Sequence, residues 1–305
     1  MSDPFSELLL FTIDWRNRAT TQQLIDSLAA LPATLWIIVN DPLPETYSLP
    51  KDAVLSIKTY RTGANIGFAA ACNRAIKIAD QESAQYLLHM NNDLQLESAE
   101  QLLKFISLFK VNTEYALASP TIHSPTKRVE FAGSHPLARL SSALIIANKQ
   151  PPIDRERLHH TQFINGACFI ARLDALQKVG GFDEHYFAYR EEHDLSFRIK
   201  KMGGKIGYLP VMSVTHHLSS SSNRDRYFKE LLITRGQLVF MKKNLKGAAL
   251  LLFILIFGIK TTLKGGGALL TGKTSTACAI KDALKNQLFK RPLTLQVLDE
   301  KITLN

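Results

Sequence analysis

The sequence predicts an α/β domain with a mostly parallel central sheet flanked by helices, followed by a basic helical extension. Three observations predict it. From Leu8 to Ala118, short and continuously apolar runs alternate with segments of helical spacing, the pattern that strands joined by crossover helices require. Polar residues gather directly after those runs, where such sheets hold ligands at the carboxyl ends of their strands. Charge is divided unevenly. Residues 1–223 hold 22 basic and 22 acidic side chains, residues 224–305 hold 15 and 5, and the whole net charge of +10 belongs to the last quarter.

Leu8–Ile13 reads as a buried strand ending at Asp14, and Thr20–Ala30 as a helix with Leu24, Ile25 and Leu28 on one face. Leu35–Val39 is a second buried strand, stopped by the turn signal Asn40-Asp41-Pro42. Val54–Lys58 is a third strand, Phe68–Ala79 an Ala-rich helix, and Tyr86–Met90 a strand running into Asn91-Asn92-Asp93. From Ser98 a helix carries Leu102, Leu103, Phe105 and Ile106, and Tyr115–Ala118 is the next strand. Pro120–His160, rich in Pro, Ser and His, reads as irregular or short-stranded. Phe163–Ala171 is a strand and Leu173–Val179 a short helix stopped by Gly180-Gly181. Leu195–Met202 is an amphipathic helix ended by Gly203-Gly204.

Composition removes several classes. With 46% hydrophobic and 21% charged residues the chain is not disordered. Cys72, Cys168 and Cys278 stand alone, against a disulfide framework or a cysteine zinc site. A nucleic-acid enzyme would spread basic charge through its fold, so the neutral block argues for no nucleic-acid partner. Met1-Ser2-Asp3-Pro4 lacks a basic n-region and Leu8–Phe11 is short for an h-region, so a cytosolic chain is expected.

Four segments carry chemistry. Asp93, at a strand terminus, can hold a hard divalent cation together with a diphosphate, or serve as an ordinary turn residue. Arg61–Ile76 places a Gly-containing turn at a helix start, suited to a phosphate or base, or simply to capping. Gly180–Leu195 interleaves clustered acids and His193 with Phe182, Tyr186, Phe187 and Tyr189. That mix suits a pocket that packs on a sugar ring and perturbs a carboxylate; the alternative is a solvated helix start whose acids suit the dipole. Val214-Thr215-His216-His217 ends a strand, where a His can be a metal ligand, a pH switch or a packed core residue.

Taken in order, these segments resemble the family 2 glycosyltransferases of the GT-A fold, and within them the bacterial rhamnosyltransferase-like group that builds surface polysaccharides. The matching elements are Asn65-Ile66-Gly67-Phe68 with Asn73, Asn91-Asn92-Asp93 as a form of the D-x-D motif, Gly166–Arg172, Gly180–Arg198, and Tyr208, Pro210, His216, His217 with Ser219–Ser222. The resemblance implies a catalytic domain over 1–222, with a nucleotide-sugar-binding half (1–97) and an acceptor-binding, catalytic half (98–222), and an extension over 223–305. Asp93 and His216 would hold Mg²⁺ or Mn²⁺ on the donor diphosphate. Asp14, Asn40, Asp41, Arg61, Asn65, Gly67, Asn73, Asn91, Asn92, Gly166 and Tyr189 would line the substrates. Glu192 would be the general base that takes the acceptor's proton, flanked by Glu191 and Asp194. The reaction implied is an inverting transfer from a nucleoside-diphosphate sugar to a glycan or lipid-linked acceptor.

Three positions depart from the family pattern. Glu192 replaces the usual Asp, Asp14-Trp15-Arg16-Asn17 differs from the usual T-Y/W-N, and Asn40-Asp41 inverts the common order. A sugar-nucleotide nucleotidyltransferase would need a Gly-rich loop after the first strand, and Asp14–Thr21 has no glycine. A non-catalytic carbohydrate- or membrane-binding relative is the other alternative.

In the extension, Lys246 and Lys260 bracket thirteen apolar residues, Gly247–Ile259. That is short of the roughly 20 residues of a membrane span, so the segment reads as re-entrant or interfacial, with a buried core helix as the alternative. Ala279–Leu288 is amphipathic with Lys281, Lys285, Lys290 and Arg291 around it, as in helices that lie on anionic bilayers. The expected location is cytoplasmic and peripheral, on the inner face of the bacterial plasma membrane.

Overall fold

The computed structural model describes residues 4–135, 138, 146–152, 154–217, 226–270 and 274–288. The closing serines 219–222 and the basic pair Lys290 and Arg291 lie outside the described residues. In chain order the elements are β1 (Leu8–Asp14), α1 (Arg18–Leu28), β2 (Thr34–Val39), β3 (Ser56–Arg61), α2 (Phe68–Gln81), β4 (Tyr86–Met90), β5 (Leu94–Leu96), α3 (Ala99–Val111) and β6 (Tyr115–His123). There follow β7 (Val129–Phe131), β8 (His159–His160), β9 (Cys168–Arg172), α4 (Leu173–Lys178), a 3-10 turn (Glu184–Tyr186), α5 (Glu191–Lys201) and β10 (Lys205–His216). Three helices end the described chain: α6 (Arg226–Asn244), α7 (Gly247–Leu270) and α8 (Thr274–Leu288).

The sheet runs β3-β2-β1-β4-β9-β6-β10-β5. Its first half is parallel, as the alternation of strands and helices predicts. β9 is antiparallel to both β4 and β6, while β10 is parallel to β6. The antiparallel strand has a consequence for the site: β9 begins at the edge where β1, β2, β4, β6 and β10 end.

Alternation along the strands feeds two apolar layers. Leu10, Leu35, Ile37 and Leu88 pack under α1 and α3 with Leu24, Leu28, Phe105 and Phe109. Leu9, Phe11, Ile38 and Leu87 pack under α2, α4 and α5 with Ala71, Cys72, Leu176 and Leu195. Every residue of β4 is buried, which is why it reads as an apolar run broken only by His89.

Several elements differ from expectation for identifiable reasons. β6 passes through Pro120 to His123, and its register against β10 shifts between Tyr208 and Ser213 at that point, where proline lacks an N–H to pair. Phe163–Ala167 leaves the sheet to cross its edge, so β9 starts at Cys168. α5 starts at Glu191, four residues before its first apolar position, with Glu191, Glu192 and Asp194 in the first turn, where the helix dipole favours acids. The helix that holds the apolar run after Lys246 is longer than thirteen residues, because α7 continues through Lys260 and Lys264 to Leu270.

Candidate active site

Asp93 and His216 meet through strand pairing. The Asn91 N–H donates to the Ala167 carbonyl (2.8 Å), which holds the Asn91–Asp93 turn over the start of β9. β5 then pairs antiparallel with β10 and sets Leu94 opposite His216. His216 Nε2 lies 3.3 Å from Asp93 Oδ1, and its Nδ1 lies 3.8 Å from Glu130 Oε2. Burial opposes a charge on His216, but hydrogen bonding to Asp93 and Glu130 outweighs it and raises the imidazole to about 9.

The donor set fits a divalent cation. One carboxylate oxygen and one ring nitrogen 3.3 Å apart are close to the edge, about 3 Å, of an octahedron with metal–ligand bonds of about 2.1 Å. Among the described residues no cluster of three or more His, Cys, Asp or Glu could hold a metal. A cation here would complete its shell with water and phosphate, the habit of Mg²⁺ in phosphate-binding sites.

The ends of β1, β2 and β3 build a polar wall beside this pair. Asp14 is wholly buried: Oδ1 accepts from the Asn17 N–H (3.1 Å) and meets Arg18 (2.8 Å), and Oδ2 accepts from the hydroxyls of Thr21 (2.8 Å) and Tyr47 (2.7 Å). Asp41, equally buried, accepts from the N–H groups of Arg16 and Leu43 and takes a two-pronged contact from Arg18. Burial opposes the charge on Asp41, but the Arg18 guanidinium and those two amides hold its carboxyl below the usual range. Asn40 Oδ1 accepts from the Ile66 N–H (3.0 Å), and its Nδ2 donates to Asn65 Oδ1 (3.2 Å), which also accepts from the Gly67 N–H (3.0 Å). Asn92 Nδ2 donates to the Thr21 hydroxyl (2.9 Å) and ties the Asp93 turn to this wall. Arg61 is half exposed, paired with Glu45 and donating to the Leu43 carbonyl.

The expected substrate residues of this half therefore do gather at one edge. Their roles divide, however, since Asp14 and Asp41 already have protein partners on both oxygens. Sequence reasoning missed Arg18, Thr21, Tyr47 and Glu130. Arg18 had a local signal, four residues after Asp14 on a helix start; Tyr47 and Glu130 had none.

The second half centres on the turn before α5. Phe187, Tyr189 and Arg190 have φ of 63°, 66° and 82°, three left-handed non-glycine residues within four positions. Such conformations cost on the order of 1 kcal/mol or more each and persist only where surroundings impose them. The surroundings are close. Gly67 has φ of 84°, and a Cβ there would sit 2.6 Å from the Phe187 ring and 2.7 Å from its carbonyl oxygen. That carbonyl accepts from the Ala69 N–H (3.1 Å) at the start of α2. Asn73 donates to the Phe182 carbonyl and to Glu184 (2.9 Å each) and accepts from the Phe182 N–H (2.8 Å). It clamps α2 to the Gly180–Glu184 segment, so its amide is engaged by protein and not directed at a substrate. Asn91 likewise has its Oδ1 on His89 Nε2 (2.9 Å).

Glu192 and Glu191 begin α5. A Cβ at Gly166 would stand 3.7 Å from Glu192 Cδ, which places this carboxylate against the segment that crosses the sheet edge. Glu192 Oε1 is 2.9 Å from His193 Nδ1, and its buried Oε2 has no hydrogen-bond partner among the described residues. Burial opposes charge on Glu192, but facing His193 and Arg190 outweigh it and hold the carboxyl below its usual range. Glu191 is pushed well up, first by burial and then by the charge of Glu192. Of the two neighbours, Glu192 keeps the negative charge.

Asp194, expected to flank Glu192, has both carboxylate oxygens engaged by protein. It is buried, and it accepts from Arg198 Nε (2.6 Å), the Tyr186 hydroxyl (3.2 Å) and Asn244 Nδ2 of α6 (2.8 Å). It is a positioning residue that fastens α5 to the extension.

A family model described as Glycosyl transferase family 2 matches residues 15–180, more than half of the chain. The chain belongs to glycosyl transferase family 2. It is similar to the N-acetylglucosaminyl-diphospho-decaprenol L-rhamnosyltransferase of Mycobacterium tuberculosis, at 28% identity over 197 residues, 56% of this chain and 62% of that one. It is similar to the O-antigen biosynthesis protein RfbC of Myxococcus xanthus (26% identity, 66% of this chain, 16% of that one). Rhamnosyltransferase WbbL of Escherichia coli matches at 22% identity over 56% of this chain and 67% of that one. The chain thus spans less than two thirds of the mycobacterial relative. These relatives mark it as a rhamnosyltransferase-like member of the family.

Among solved structures, the mannosyltransferase PcManGT of Pyrobaculum calidifontis, in complex with GDP-Man and Mn²⁺, superposes with a TM-score of 0.55 at 9% identity, over 93% of this chain and 88% of that one. TarS of S. aureus gives 0.53 at 12% identity, over 95% of this chain and 50% of that one. At such identities the likeness is one of fold, and the fold of this family 2 glycosyltransferase is GT-A. The family match ends at residue 180, so Glu192, its left-handed turn and the extension lie beyond it.

Proposed function

We propose that the protein transfers a sugar, rhamnose or another hexose, from a nucleoside-diphosphate donor to a glycan or lipid-linked acceptor, with inversion, in cell-surface polysaccharide synthesis. One observation carries this reading: Asp93–His216 and Glu192 converge on the β4–β9 junction, the first through Asn91 on Ala167 and the second against Gly166.

An inverting transfer forms one bond from the acceptor oxygen to the anomeric carbon as the bond from that carbon to the diphosphate oxygen breaks. Glu192 Oε2 takes the acceptor's hydroxyl proton, because it is the oxygen with no partner among the described residues on the carboxylate that stays charged. Burial, then the charge of Glu192, pushes the Glu191 carboxyl well up, which disfavours a second negative charge beside the base. Asp93 and His216 would hold Mg²⁺ or Mn²⁺, which when bound supplies Lewis-acid stabilisation of the leaving diphosphate. The Asn40–Asn65–Gly67 chain and the Arg18-braced wall shape the donor side. A lipid-linked acceptor would bring the enzyme, cytoplasmic and peripheral, to the inner face of the bacterial plasma membrane.

The test is Glu192→Gln. Transfer should fall by roughly a thousandfold, within the range of general-base contributions, while calorimetric binding of a nucleoside-diphosphate sugar with Mn²⁺ stays within about twofold of the unmodified protein. Undiminished transfer would remove Glu192 from the base role.

A further inference from the structure

The extension carries a surface that sugar transfer does not use. Among the described residues one helix, Gly247–Ala268, is long and apolar enough to cross a membrane, yet only 6% of its apolar window is buried in the protein. Its two sides differ. Phe253 is 5% exposed and joins Tyr186, Val239, Phe240 and Leu245 in a small core. Ala268 is buried, and Lys264 pairs with the buried Glu230 of α6. On the other side Leu251, Ile254, Leu255, Ile259 and Leu263 are between 50% and 71% exposed; Leu251, Leu255, Ile259 and Leu263 recur every four residues along one face, and Ile254 flanks it.

We propose that α7 lies flat in the interface of an anionic lipid bilayer, with the Leu251–Leu255–Ile259–Leu263 face in the acyl region. Charge names the occupant. The chain's entire excess of basic side chains belongs to residues 224–305, and Lys246, Lys260, Lys281 and Lys285 are exposed around this helix bundle. A protein partner with an acidic groove would not need so continuous an aliphatic face, whereas helices with a basic rim and an apolar face suit anionic headgroups.

Geometry selects lying over spanning. Crossing the bilayer would strip Phe253 from its core and carry Lys260 and Lys264, with Glu230 left behind, into hydrocarbon. Lying flat keeps every one of these contacts. It also fixes the active site relative to the membrane, because α6 is bound to the turn that precedes α5. Arg235 donates to the His185 carbonyl (2.5 Å), Lys243 pairs with Asp183, and Asn244 donates to Asp194 (2.8 Å). The proposal extends the transferase reading without depending on it, since membrane docking is read without sugar transfer.

The experiment is co-flotation of the full chain with vesicles of phosphatidylcholine, alone or mixed with phosphatidylglycerol, at low and high salt. Binding to the mixed vesicles should exceed binding to neutral ones about a hundredfold, the worth of roughly three lysines near the surface, and high salt should remove that excess. Leu255→Asp with Leu263→Asp, both on the exposed face, should abolish flotation while leaving the thermal midpoint and donor binding unchanged. No flotation of the unmodified chain, flotation by the double variant, or equal salt-resistant binding to both vesicle types would overturn the proposal; the last would mean that α7 spans.

Discussion

Gly67→Ala tests whether the left-handed turn positions Glu192. Gly67 has φ of 84° and ψ of 166°, a region open almost only to glycine, at about 1–3 kcal/mol for any other residue. The new Cβ would meet Phe187 at 2.6 Å (ring) and 2.7 Å (carbonyl oxygen), so Phe187 would have to retreat several tenths of an ångström. Retreat lengthens the Phe187 carbonyl's bond from the Ala69 N–H, worth about 1 kcal/mol. Together these predict a loss of about 2–4 kcal/mol in stability. Phe187 is three residues from Arg190 and the start of α5, so the shift propagates to the carboxylate, and a misplacement near 1 Å costs about a hundredfold in rate. Gly63→Ala is the control: φ is 74° there, but nothing lies within 4 Å of the added Cβ. It shares the backbone cost and lacks the collision. Calorimetric unfolding and steady-state transfer of both variants decide the matter. If Gly67→Ala keeps the kcat of Gly63→Ala, the Phe187 turn does not place the base.

Three further outcomes follow from the site. Burial pushes the Glu192 carboxyl up, and His193→Gln removes the ring that does most to offset burial and hold it below its usual pKa. Activity is lost as pH falls through the base's pKa, so the acid limb of the kcat/KM profile should move to higher pH; an unmoved limb would refute the assignment. Arg18→Ala leaves two wholly buried carboxylates without their guanidinium, at about 3 kcal/mol in chemical denaturation. Because the Asp41 pKa is lowered on folding, that stabilisation is present above the unfolded carboxylate value and fades as pH falls through the folded one; the gap between Arg18→Ala and the unmodified protein should narrow in acid. His216→Ala should remove the enhancement by Mn²⁺ of donor binding measured by calorimetry, and an intact enhancement would exclude His216 as a ligand.

The inner strands of the parallel half, β1, β2 and β4, were legible because they are largely buried on both faces, unlike the exposed edge strand β3. Apolar runs such as Leu8–Ile13 and Tyr86–Met90 have one physical cause, and the polar residues that end them fall at one edge. Asp93 and His216 were legible as strand-end residues, and the antiparallel β5–β10 pairing brought them together. The start of α5 was not legible from periodicity, since its first apolar position is Leu195 and its first turn is acidic. Nor was the left-handed run Phe187–Arg190, where no glycine marks the backbone and the imposing contacts come from α2 and α6. α7 was cut short at Ile259 for a similar reason. Lys260 bounds the apolar run, but a lysine does not stop a helix; beyond it Lys264 is fixed by Glu230 and Ala268 is buried, so tertiary contacts carry the helix on.

These misses share a cause that bears on how the enzyme is built. A Cβ at Gly236 of α6 would stand 2.5 Å from the Tyr189 carbonyl and 3.1 Å from Arg190. The backbone of the extension is thus pressed onto the strained turn from one side while Gly67 admits Phe187 on the other. Left-handed residues without glycine do not persist unaided, and the two glycines that let backbones approach supply the confinement. The basic quarter that reads in sequence as an appendage braces, through Gly236, Arg235 and Asn244, the turn and first helical turn that carry Glu192. The face proposed to meet lipid lies on α7, and the contacts that confine the turn come from α6, which α7 packs against through Lys264 and Glu230. If both proposals hold, the angle at which α7 meets lipid also sets the direction from which an acceptor hydroxyl reaches Glu192.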